Sequence, residues 1–134
     1  GGSVRRVACF ADHVSRLEIN TEDVAEILLD FEGGAIGSVH VDYVQRVLTR
    51  GCQIIGDEGT IIWDDSASEV QLFEAKDSEW QTFRQEGFER NDMYVAEMKH
   101  FLNCLEGCDT PVVDVEEGAE VLRIALAARE DAQA

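Results

Sequence analysis

Polar and apolar positions alternate along the first two thirds of the chain. Between Val24 and Phe31, Ala25, Ile27, Leu29 and Phe31 fall on one side, and Glu26 and Asp30 on the other. Period-two alternation predicts a half-buried strand. Glu32-Gly33-Gly34 follows and predicts a hairpin turn, because glycine reaches positive φ at little cost. Ala35 to Tyr43 is the expected return strand, with Val39, Val41 and Tyr43 on one face and Ser38, His40 and Asp42 on the other. Val4 to Ala11 is an earlier strand, and residues 12–22 form a loop. Cys52–Ile55, the turn Gly56-Asp57-Glu58-Gly59, Thr60–Trp63, Glu69–Ala75 and Trp80–Phe83 continue the pattern. Short strands joined by tight turns predict a largely antiparallel sheet over about 3–86.

The period changes near residue 90. Asn91 or Asp92 can cap a helix running to about Glu106, with Tyr94, Met98, Phe101, Leu102 and Leu105 at helical spacing. Gly107 is a natural stop. Asp109-Thr110-Pro111 begins a short extended linker. Asp114-Val115-Glu116-Glu117 then has the form of a capping box. The helix it opens carries Val115, Ala119, Leu122, Ala125, Leu126 and Ala128 as its expected inner stripe. The expected fold class is α+β: an open antiparallel sheet with helices (about 90–134) on one face, in a single domain over 1–134. The other face carries Leu28 and Ile36 among polar residues, which suits a solvated surface or an oligomer interface.

Charge narrows the partners. The 134 residues hold 28 acidic and 11 basic side chains, a net charge of −17. Such a surface repels phosphate backbones and anionic lipid, so nucleic acid and membrane are not expected partners. No apolar run approaches the ~18–20 residues of a membrane span, and the acidic residues are dispersed, as on a cytoplasmic protein. The four cysteines match no disulfide scaffold and are expected reduced, with Cys9 and Cys52 as small buried hydrophobes. His100, Cys104 and Cys108 lie four apart, like half of a metal site. Gly107 should end the helix before Cys108, and no fourth ligand is visible, so no metal is expected.

Chemistry is sparse. Gly33-Gly34-Ala35-Ile36-Gly37 joins two strands and opens no helix, so it cannot present a helix N-terminus to a pyrophosphate. There is no phosphate loop, nucleophile elbow or zinc-protease motif. His13, His40 and His100 have no partner legible in the sequence. The polar interruption between two strands groups Tyr43, Gln45, Arg46, Thr49 and Arg50. Either these line a pocket, or Tyr43 is core and the arginines balance an acidic surface.

Four stretches in order resemble the C-terminal domain of the glucose-fructose oxidoreductase, inositol dehydrogenase and MocA (Gfo/Idh/MocA) family. They are the hairpin Val24–Ser38, the strand-turn-strand Cys52–Ile61, the helix Asn91–Phe101 and the helix entry Pro111–Gly118. The resemblance implies the substrate-binding and oligomerisation half of a dehydrogenase acting on a sugar, cyclitol or nucleotide-sugar hydroxyl. It implies NAD or NADP for the parent enzyme and none bound by this half. The dinucleotide-binding domain, with its glycine-rich loop and catalytic lysine, would precede Gly1, and no catalytic residue is expected here. Tyr43, Arg46 and Arg50 would lie near the substrate, with Asn91 and Tyr94 as a second wall, and the open sheet face would build a homo-oligomer. A stand-alone dimerisation or binding module with the same fold and no redox activity is the alternative.

Overall fold

The computed structural model describes residues 2–134. They form β1 (Val4–Asp12), β2 (Val24–Phe31), β3 (Ile36–Asp42), β4 (Gly51–Gly56), β5 (Gly59–Asp64), β6 (Glu69–Glu74), β7 (Glu79–Arg84), α1 (Arg90–Leu105) and α2 (Val115–Ala132). The α+β class holds, and every strand pair is antiparallel. The strands lie in two sheets, β1-β2-β3 and β4-β5-β6-β7. The chain divides into two compact units: residues up to Gln45 with Val112–Ala134, and Arg46–Pro111.

In the first unit, the hairpin turns where Gly34 adopts φ 86°. From there the register pairs Leu29 with Gly37, Ile27 with Val39 and Ala25 with Val41. Val7, Cys9 and Ala11 extend those rows on β1. α2 packs on β1, where Cys9 and Ala128 are the two buried apolar side chains. The Cys9 amide donates to Asp131 Oδ2 at 2.8 Å, so the helix satisfies a donor on the edge strand. Burial pushes the Cys9 thiol up, and the charges of Asp131 and Glu22 add to this. The capping box stands as expected: Glu117 N–H donates to Asp114 Oδ1 at 2.9 Å, and the Asp114 amide to Glu117 Oε2 at 3.3 Å.

The inner stripe of α2 is different from the expected one. Glu120, Ile124, Ala128 and Ala132 are its least exposed positions, while Val115, Ala119, Leu122, Ala125 and Leu126 are exposed. Two apolar stripes run along this helix. The one with small side chains takes β1, because Ala128 and Ala132 permit a close approach.

The second unit holds the four-stranded sheet and α1. A Cβ on Gly59 would meet the Phe73 carbonyl oxygen, and one on Gly51 the Trp63 carbonyl oxygen. Glycine is needed at both positions for strand-to-strand clearance, with no positive φ involved. Cys52, expected buried, is exposed, because β4 is an edge strand. α1 begins one turn's cap earlier than expected. Glu89 is its N-cap, and Asp92 is the third helical residue of a capping box, accepting the Glu89 amide at 3.0 Å. Tyr94, Met98, Phe101, Leu102 and Leu105 keep helical spacing but are exposed, and His100 and Cys104 are the less exposed positions. Gly107 ends the helix at φ 73°. Among the described residues no helix is long and apolar enough to cross a membrane.

Candidate functional site

The end of β3 gathers most of the first unit's polar chemistry. Register places His40 opposite Glu26. Its Nδ1 lies 2.6 Å from Glu26 Oε1, and its Nε2 lies 2.9 Å from Asp42 Oδ2. Both ring nitrogens face carboxylates, so the imidazolium is favoured. His40 is raised from its ordinary value, chiefly by the Glu26 hydrogen bond and then by Asp42. Asp42 also accepts the amides of Val44 (2.7 Å) and Gln45 (2.6 Å) and the Gln45 side chain (2.7 Å). Burial pushes its carboxyl up, but the Gln45 amide, the Gln45 side chain, His40 and the Val44 amide outweigh this and hold it at about 2.

A second carboxylate fixes the neighbouring loop. Asp23 is 1 % exposed. Its oxygens accept the amides of Val14 at 2.8 Å and Ser15 at 3.0 Å. Its carboxyl is lowered, first by the Ser15 side chain, then, against the cost of burial, by the Val14 and Ser15 amides and nearby His13. The Tyr43 amide donates to the Asp23 carbonyl at 2.9 Å. Tyr43, Asp23, Asp42, Val24, Ala25, Val41 and Glu22 line a cavity of about 210 Å³. Tyr43 is 71 % exposed, so it is not a core residue. The structure thus brings Tyr43 beside two anchored aspartates.

Arg46, Arg50, Asn91 and Tyr94 lie in the second unit. The Arg50 guanidinium sits 5.8 Å from the Trp63 ring centre, and the Arg50 carbonyl accepts the Asp65 amide at 2.9 Å. Arg46 is exposed, and Asn91 and Tyr94 stand exposed on the first turns of α1. A larger cavity of about 480 Å³ lies in the same unit, with Trp63, Val70, Phe83, Phe88 and Met93 on its wall. Arg84 Nε donates to Glu69 Oε2 at 2.7 Å on its rim. His100 lies between Cys104 Sγ (3.6 Å from Nε2) and Asp109 Oδ2 (3.2 Å from Nδ1). Burial and the Asp109 charge push the Cys104 thiol up, away from a reactive thiolate. Among the described residues no three His, Cys, Asp or Glu side chains group to hold a metal.

Sequence reasoning missed the Glu26–His40–Asp42 group and the Asp23 anchor. The first was within reach: counting residue pairs outward from the three-residue turn Glu32-Gly33-Gly34 puts Glu26 opposite His40, and Asp42 shares that face. The second joins positions 14, 15 and 23 through an irregular loop, for which no spacing rule exists.

The family model for the oxidoreductase family, C-terminal alpha/beta domain (Gfo/Idh/MocA), matches residues 4–134. The chain belongs to this family. No curated protein sequence matches it. Among solved structures, it is similar to the UDP-N-acetylglucosamine 3-dehydrogenase GnnA from Acidithiobacillus ferrooxidans, at 16 % identity and TM-score 0.81, over 97 % of this chain and 40 % of that one. It is also similar to the WlbA dehydrogenase from Bordetella pertussis in complex with NADH and UDP-GlcNAcA, at 24 % identity and TM-score 0.69, over 98 % and 40 %. A third is biliverdin reductase from Synechocystis sp. PCC 6803 in complex with biliverdin and NADP+, at 17 % identity and TM-score 0.77, over 98 % and 41 %. At these identities the likeness is one of fold. This Gfo/Idh/MocA domain spans about 40 % of the length of those relatives.

Proposed function

We propose that this domain is the substrate-facing and self-associating half of an NAD(P)-dependent oxidoreductase that acts on a sugar, cyclitol or nucleotide-sugar hydroxyl. The family match over 4–134, in a chain with only about 40 % of the relatives' length, carries the reading. No glycine-rich strand-to-helix turn of the dinucleotide-binding kind occurs among the described residues. Neither helix follows a glycine-rich strand turn, and both first turns carry acidic side chains, Asp92 on α1 and Glu116 and Glu117 behind the Asp114 cap on α2, which would repel a pyrophosphate. On this reading the nicotinamide cofactor would be held by another part of the parent enzyme.

The nicotinamide, when bound, supplies the hydride chemistry. This domain would bind and orient the substrate. Tyr43 offers a hydroxyl to a sugar hydroxyl, beside aspartates whose own hydrogen bonds hold the amides of Val44 and Gln45 and of Val14 and Ser15. Arg46 or Arg50 would pair with a phosphate or carboxylate on the substrate. Asn91 and Tyr94, exposed on α1, are the further candidates for substrate contact. Kinetics of the natural full-length protein test these roles. Tyr43→Phe should raise KM about tenfold with kcat little changed, as for loss of uniform binding. Arg46→Ala should lower kcat/KM for phosphate-bearing substrates and spare those without phosphate. Unchanged KM in the first variant and unchanged preference in the second would remove both residues from the site.

Self-association through the open face of the β1-β2-β3 sheet is part of the same proposal. Phe10 and Ile36 are 83 % and 82 % exposed there, and Leu28 is 54 % exposed. Apolar exposure of that size on one sheet face marks an interaction surface.

A further inference from the structure

The cavity of about 480 Å³ in the second unit has the size of a small-molecule site, which is ~300–1,000 Å³. Register builds its floor. Trp63 lies opposite Val70, and Val70 opposite Phe83, so the three side chains form one row on one face of β5-β6-β7. Phe88, on the segment entering α1, and Met93, on its first turn, line the same space. Phe83 is 54 % exposed in that row. An aromatic row left open in this way can take a flat ring by stacking.

The rest of the lining is polar. Asp65 and Ser68 bound a turn in which the Ser68 amide donates to the Asp65 carbonyl at 3.2 Å. Asp65, Ser68 and Gln85 all line the cavity, and their side chains make no hydrogen bond among the described residues. A carboxylate, a hydroxyl and an amide offer both acceptors and donors, which is what the edge of a nucleobase needs. Charge selects what the ring carries. The Arg50 guanidinium lies 5.8 Å from the Trp63 ring centre, and the Arg50 carbonyl accepts the Asp65 amide, so this arginine is tied to two lining residues. Glu69 neutralises Arg84 at 2.7 Å, whereas Arg50 has no ion-pair partner among the described residues. A free guanidinium favours a phosphate over an organic cation. We propose that this cavity seats the nucleobase of a nucleotide-linked sugar, with Arg50 pairing its diphosphate. The inference rests on the oxidoreductase reading above and narrows its substrate class to nucleotide sugars.

Calorimetry on the natural full-length protein tests it, with the nicotinamide nucleotide saturating so that its own site is closed to other nucleotides. The diphosphates of uridine, cytidine, guanosine, adenosine and thymidine are compared with inorganic pyrophosphate. At least one nucleoside diphosphate should bind about tenfold or more tighter than pyrophosphate. Trp63→Leu should weaken that binding about tenfold. Gln85→Ala, at an exposed position that spares the fold, should weaken it about threefold. Arg50→Ala should weaken the diphosphate about tenfold and the matching nucleoside little. Absence of nucleoside diphosphate binding, or binding that neither Trp63→Leu nor Gln85→Ala changes, would overturn this inference. Oxidation of a sugar or cyclitol by that same protein would leave the oxidoreductase reading in place. A protein that binds neither NAD+ nor NADP+ would overturn both.

Discussion

At the scale of single residues, the polar group at the end of β3 sets a pH window. His40 is raised, so the stability it contributes is fully present below its ordinary value of 6.5 and is lost as pH rises through its folded value. Asp42 is held at about 2, so its contribution is present above its ordinary value of 3.8 and is lost as pH falls through that lower range. Asp23 is lowered too and acts in the same direction. Thermal stability should therefore be greatest between about 4 and 6.5. His40→Gln should flatten the alkaline side of the profile and leave the acid side intact. Parallel curves for variant and wild type would show that His40 is not the titrating group. Tyr43 was legible in the sequence as part of a polar interruption. Its neighbours Asp23 and Asp42 were not, because their role lies in what they accept from backbone amides rather than in any motif.

At the scale of elements, the strands and their order were legible because alternation and glycine turns are local signals. All seven strands lie within a residue or two of their expected bounds, and the Asp114–Glu117 box caps α2 as its four residues imply. The apolar stripes were not legible in the same way. Spacing identifies a helix, but it does not decide whether the Leu122–Leu126 side or the Ile124–Ala128 side meets the sheet. The Asp131 bond to the β1 edge decides that, and it is a long-range contact. Gly59 offers a check at this scale. Its turn position suggested conformational freedom, but its neighbour on β6 makes it a clearance residue. Gly59→Ala should cost about 1–3 kcal/mol, because backbone on both sides must move. Gly33→Ala, with open space around its Cβ position, should cost less. Equal denaturation midpoints for the two variants would contradict this account of Gly59.

At the scale of the whole molecule, exposed apolar side chains recur on the open sheet face, on α1 and on the outer stripe of α2. Surfaces of this kind suit a domain whose neighbours lie elsewhere, in a further part of its own chain or in another copy. The comparison with relatives about two and a half times as long fits the same picture. The most direct test is substrate-dependent reduction of NAD+ and NADP+ by the natural full-length protein, across sugars, cyclitols and nucleotide sugars. Our account predicts that at least one of these substrates is oxidised, with KM raised by Tyr43→Phe. A full-length protein that binds neither nucleotide, yet still self-associates, would contradict it and leave a binding module built on an oxidoreductase fold.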